Sequence, residues 1–116
     1  MQYHRSTGFD AHDLARDAAV LILRLVRGAP PAVRTLTDQT VRAVTSVPLN
    51  LAEGAGRRGR DRAHHWRIAY GSALEAGSAL ELLTAGGFVD ARRARRVMAM
   101  LDEVRAMTWR LLHPRR

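Results

Sequence analysis

The sequence predicts an all-α protein folded as an antiparallel up-down-up-down four-helix bundle, and three observations predict it. Apolar residues recur at steps of three and four in four separate segments, the signature of helices with one buried face. Glycine and proline clusters fall between those segments. No stretch competes as a half-buried strand. With 116 residues the chain holds one domain and no second independent core. A polar arm of about residues 1–9 precedes the first helix.

The first helix is expected over 10–28, with Asp10 as N-cap and Leu14, Ala18, Leu21 and Leu25 as its apolar stripe. Gly28-Ala29-Pro30-Pro31 ends it and starts the next, since Pro31 suits a first-turn position. The second helix, 31–54, carries Leu36, Thr40, Ala43, Val47 and Leu51 on one face. The glycine-rich run Gly54–Arg60 reads as the only substantial loop, because glycine weakens a helix interior. Asp61 then caps a third helix, 61–86, with Trp66, Tyr70, Ala73, Gly77 and Leu80 as its seam, and Gly86-Gly87 stops it. Asp90 opens the fourth, 90–113, where Ala94, Val97, Leu101, Val104, Thr108 and Leu111 keep strict coiled-coil spacing until Pro114. Short connections make such helices antiparallel neighbours.

Many seam positions hold Ala, Gly or Thr, so the core is thin and self-association is expected to supply further burial. The chain has no cysteine, which excludes disulfides, thiolate metal sites and cysteine nucleophiles. Its five histidines lack ligand spacing, so neither a metal nor any other cofactor is expected. The glycine-rich run lacks the P-loop pattern and its preceding strand. Without an apolar run of the roughly 18 residues that a span needs, no membrane role is expected, and the location is taken as cytoplasmic.

The net charge is +8, and all 19 basic side chains are arginine. Such an excess points to a polyanionic partner, although a GC-rich genome would favour arginine too. In the predicted topology Arg57, Arg58, Arg60 and Arg62 gather at one end with Arg5, Arg110, Arg115 and Arg116. Arg92, Arg93, Arg95 and Arg96 lie at the other, near Arg27 and Arg34. Cations at the start of a helix oppose its macrodipole, so helix stability does not account for the second group.

The second helix also carries a polar stripe, Gln39, Arg42, Ser46, Asn50, Glu53 and Arg57, and a proline, Pro48, that removes one backbone donor. Asn50 and Glu53 are expected to be structural, closing a buried polar network with Arg42 or Arg57 at a helix or subunit contact.

These residues resemble the signature of a known family. Gln39, Arg42, Ala43, Ser46, Pro48, Asn50, Ala52, Glu53 and Gly54 match the form Q-x-x-R-A-x-x-S-x-P-x-N-x-A-E-G, and Gly71, Ser72 and Glu75 match a later G-S-x-x-E. The family is that of four-helix-bundle proteins of the ribosomal RNA intervening-sequence type, related to accessory variability determinant proteins of diversity-generating retroelements. The chain departs from the pattern at Val41, Ala55 and Gly77, where the family commonly has an arginine, an aromatic residue and a glutamate. The resemblance implies a ring-like homopentamer and, in one branch, a basic accessory subunit for a reverse transcriptase and its RNA.

The expected function is that of a non-catalytic, homo-oligomeric nucleic-acid-binding protein, RNA favoured, gripping phosphates through Arg57, Arg58, Arg60, Arg62, Arg92, Arg93, Arg95 and Arg96. The competing expectation is a structural adaptor that holds a partner protein on its helical surface.

Overall fold

The computed structural model describes residues 9–115. Residues 1–8 of the polar arm, Arg5 among them, and Arg116 lie outside that range. Four helices make up the fold: α1 (Asp10–Leu25), α2 (Arg34–Ala55), α3 (Gly59–Ala85) and α4 (Ala91–Leu112), with one 3₁₀ turn at Pro31–Val33. The described residues contain no strand. Helices α1 and α3 each pack against both α2 and α4, and the α2–α3 contact is the most extensive. Among the described residues no helix is long and apolar enough to cross a membrane.

The core has two halves. One joins Ile22 and Leu25 of α1, Ala43 and Val44 of α2, Leu80 and Leu83 of α3, and Ala94, Val97 and Leu101 of α4. The other joins Ala11 and Ala15, Val47 and Leu51, Trp66, Ala69 and Ala73, and Val104. The first half thus gathers the later part of α1, the earlier part of α2, the later part of α3 and the earlier part of α4, and the second half gathers the complementary parts. The molecule measures 46 × 30 × 20 Å.

The seam of α4 is the one the sequence predicts, with Ala94, Val97, Leu101, Val104 and Thr108 buried and Leu111 half-buried. Two other seams shift. In α1 the buried residues are Ala11, Ala15, Ala18, Ala19, Ile22 and Leu25, while Leu14 and Leu21 are half-buried. In α3 Ala69 and Ala76 take the inner positions expected for Tyr70 and Gly77. Alanine wins there because a small side chain lets neighbouring backbones approach, whereas a buried tyrosine hydroxyl would need a partner. The buried hydroxyls of Thr40 and Thr108 donate at 2.7 Å to the carbonyls of Leu36 and Val104, four residues back, so neither is left unsatisfied.

Several ends differ from the expectation. Helix α1 stops at Leu25, and Asp10 is its first residue rather than its cap, which is Phe9. Helix α3 starts at Gly59, so Asp61 lies inside its first turn, and the predicted glycine-rich loop shrinks to residues 56–58. Asp90 does cap α4, accepting the Arg93 backbone N–H at 3.0 Å. Behind α3, Gly87 adopts φ +80 while the Phe88 N–H reaches back to the Leu83 carbonyl at 2.9 Å, a Schellman closure that needs a left-handed residue.

Gly54 is helical and buried because α3 leaves no room for a side chain. A Cβ there would lie 2.5 Å from Trp66 Cδ1, 2.6 Å from its Nε1 and 3.0 Å from the Arg62 carbonyl oxygen. The indole packs over the glycine and donates to the Leu51 carbonyl at 3.2 Å. Gly54→Ala should accordingly destabilise the protein by about 1–3 kcal/mol despite the better helix propensity of alanine, as overpacking displaces the indole. Chemical denaturation followed by circular dichroism and Trp fluorescence checks this.

Candidate nucleic-acid interface

The polar stripe of α2 divides into two unconnected parts. The inner part joins the two separated motif elements: Ser46 Oγ and Ser72 Oγ lie 2.9 Å apart across the α2–α3 contact. Asn50 Nδ2 donates to the Ser46 carbonyl and to Ser46 Oγ, each at 3.0 Å. The remaining acceptor, Asn50 Oδ1, takes a bond from His65 Nδ1 at 3.0 Å. An amide serves here because it offers a donor to one helix and an acceptor to the other. His65 is the member that sequence spacing missed, since its partner lies on a different helix.

The outer part is exposed. Glu53 Oε2 receives Arg57 at 2.7 Å, and Arg57 also reaches Asp61 at 3.3 Å; the three side chains are 49%, 43% and 67% exposed. Hydrogen bonding to Glu53, then its charge, raises the Arg57 pKa above the ordinary arginine value. Within the chain Glu53 is thus not part of a buried network, and Asn50 bonds to Ser46 and His65 instead of to it. Gln39, Arg42, Gly71 and Glu75 are exposed as well, and Arg42 and Glu75 form no ion pair among the described residues. Pro48 is half-buried within α2, which continues through it.

Of the four arginines expected to bind phosphate near the α2–α3 connection, Arg62 is committed to the fold. Its Nε donates to the Gly54 carbonyl at 3.1 Å and its Nη2 to the Ala55 carbonyl at 3.2 Å, while its guanidinium lies 5.4 Å from the centre of the Trp66 ring. Helix α2 ends there, where the Gly54 carbonyl accepts the Arg57 backbone N–H at 3.0 Å and still has a second lone pair for the guanidinium, and a cation at a helix C-terminus also suits the macrodipole. Arg62 therefore caps α2 from α3. Arg58 and Arg60 are exposed.

At the opposite end Arg92, Arg93, Arg95 and Arg96 are all exposed on the first turns of α4, as are Arg27 and Arg34. Arg27 and Arg34 line a depression of about 270 Å³ with Pro30, Pro31 and Asp38. Arg95 lines a groove of about 560 Å³ between α3 and α4 with Glu81 and Leu82. Arg93 and Arg96 border a crevice with Leu21 and Leu25 of α1. His64 and His65 meet edge-on with ring centres 5.4 Å apart. Among the described residues no group of three or more His, Asp or Glu side chains gathers in a way that would hold a metal.

The profile of the 23S rRNA-intervening sequence protein family matches residues 9–110. Among solved structures, a protein of unknown function from the S23 ribosomal protein family of Bacteroides thetaiotaomicron is similar in fold. Its TM-score is 0.79 at 21% identity, over 89% of this chain and 98% of that one. No curated protein matches.

Asn50→Ala should cost about 1–2 kcal/mol, because His65 and the half-buried serines lose their shared partner. Glu53→Ala, which removes only an exposed ion pair, should leave the monomer's melt unchanged. Arg62→Ala should cost about 1 kcal/mol through the lost cap of α2. Thermal melts of the three variants at one protein concentration separate these outcomes.

Proposed function

The chain belongs to the 23S rRNA-intervening sequence protein family, and from that membership we propose that it is a non-catalytic, self-associating RNA-binding protein of the cytoplasm. The observation that carries this reading is the exposure of arginines at both ends of a molecule whose net charge is +8. Arg58 and Arg60 contribute at one end and Arg92, Arg93, Arg95 and Arg96 at the other, attracting phosphates without reading bases. The family's name, which refers to ribosomal RNA, favours RNA over DNA.

We read the helices as an antiparallel up-down-up-down bundle. The pairing of Ser46 with Ser72 and of Asn50 with His65 supports this, since later residues of α2 meet earlier residues of α3. Self-association draws on two features. Leu49 and Leu82 are 68% and 60% exposed, with Leu74 and Ile68 also uncovered on α3. The motif residues Gln39, Arg42, Gly71 and Glu75 are exposed on the same two helices, and Gln39, Arg42 and Glu75 make no side-chain hydrogen bond or ion pair among the described residues. A homopentamer, and a reverse transcriptase as protein partner, are the finer forms suggested by the family resemblance. The adaptor reading rests on the same exposed leucines, which would then receive another protein.

Purified protein should retard single-stranded RNA with weak sequence preference. About four phosphate contacts would give a log-log salt slope near −3, measured by fluorescence anisotropy across a salt series. Absence of binding to any RNA at low salt would favour the adaptor. Light scattering at micromolar concentration should give a multiple of the 12.9 kDa chain mass, five-fold for the pentamer; a monomer mass would defeat self-association.

A further inference from the structure

We propose that RNA phosphates are gripped chiefly at the end where the α1–α2 and α3–α4 connections meet, by Arg27, Arg34, Arg92, Arg93, Arg95 and Arg96, and only weakly at the α2–α3 connection. The proposal rests on the RNA-binding reading above and gives it a location.

The two ends look alike in sequence because each carries a dense run of arginines, but their charges are used differently. Near the α2–α3 connection Arg57 is bridged to Glu53 and Asp61, so a phosphate approaching it meets two carboxylates around one guanidinium. Arg62 spends its donors on the Gly54 and Ala55 carbonyls and its face on Trp66. To bind RNA it would have to release the end of α2. Among the described residues Arg58 and Arg60 of that quartet make no ion pair or side-chain hydrogen bond, and Arg110 beyond them lies 3.7 Å from Glu103.

At the other end, none of the six arginines makes an ion pair or side-chain hydrogen bond among the described residues. Three acidic side chains lie nearby, and none neutralises them by direct contact. Asp90 turns its carboxylate to the Arg93 backbone N–H as the cap of α4. Asp38 shares the depression with Arg27 and Arg34, and Glu81 shares the groove with Arg95, without an ion pair in either place. A guanidinium that breaks no internal bond on binding gives its full charge to a phosphate.

Placement supports the same conclusion. Arg62 lies in the first turn of α3, but its guanidinium is held at the α2 C-terminus, where the macrodipole rewards a cation, whereas Arg92 and Arg93, like Arg58 and Arg60, sit at a helix N-terminus, where it penalises one. The first position is explained by the fold and the second is not. The six arginines also surround the end on three sides: the depression between α1 and α2, the crevice between α1 and α4, and the groove between α3 and α4. A flexible single strand laid over this end meets positive charge in each direction, which suits a backbone grip that is indifferent to sequence.

Two double reversals with equal net charge test the location. Arg92→Glu with Arg93→Glu keeps α4 folded, because glutamates in a first turn suit the macrodipole and the second completes a capping box with Asp90. Arg58→Glu with Arg60→Glu changes the same number of charges at the start of α3. Binding of a short mixed-sequence single-stranded RNA is measured for both and for wild type, with helical content checked by circular dichroism. The α4 pair should weaken binding by about tenfold or more and reduce the magnitude of the salt slope by about 1.4, or 0.7 for each lost contact. The α3 pair should weaken it less than about threefold and reduce the slope by less than about 0.7, short of one full contact. Equal losses, or a greater loss from the α3 pair, would overturn the location while leaving RNA binding intact. Failure of wild type to bind would overturn both.

Discussion

The close approach of α2 and α3 is the constraint on which the rest of the structure depends. Gly54 admits the Trp66 indole, and Ala69, Ala73 and Ala76 keep the inner face of α3 shallow. That proximity brings Ser46 within 2.9 Å of Ser72 and lets Asn50 span from its own helix to His65. It also sets Arg62 over the Gly54 and Ala55 carbonyls at the α2 C-terminus. A bulkier residue at Gly54 would disturb the tryptophan, the cap and the polar seam together, because each depends on the same interhelical distance.

Such a seam suits a small protein whose interior is rich in alanine. The apolar area buried by each alanine is modest, so packing alone leaves a narrow margin of stability. Hydrogen bonds across the contact add specificity by fixing the register of one helix against the other. A slip by one residue would part Ser46 from Ser72 and leave half-buried polar groups without partners. The buried threonines of α2 and α4 carry no such register information, since their hydroxyls bond within their own helices.

Arginine performs several distinct tasks in this chain because its planar fork can be used in several ways. Arg62 divides its donors between two carbonyls while stacking on an aromatic face, and Arg57 bridges two carboxylates. Hydrogen bonding to Asp102 raises the Arg105 pKa, with a further contribution from a hydrogen bond to Tyr70. Among the described residues, Arg92, Arg93, Arg95 and Arg96 at the start of α4 make none of these contacts. A uniform count of positive residues thus conceals that Arg57 and Arg62, near the α2–α3 connection, are engaged within the chain.

The sequence by itself determined the four helices, the α4 seam and the Asp90 cap, since all three are local: apolar periodicity and capping chemistry act within a few residues of one another. It also determined the excess of arginine and the motif linking Ser46, Asn50 and Gly54 to Gly71, Ser72 and Glu75. Only the tertiary structure decided which small residues turn inward, because Tyr70 and Ala69, or Gly77 and Ala76, fit a helical stripe almost equally well until a neighbour fixes the face. It decided that Gly54 belongs to a helix rather than a loop, as the reason for that glycine is an indole twelve residues away on α3. The same applies to the polar stripe and the arginines. Spacing along α2 joined Asn50 to Glu53, but burial separated them; the Glu53–Arg57 pair is local, four residues apart, whereas the partners of Arg62 became defined only when α3 folded back beside the end of α2.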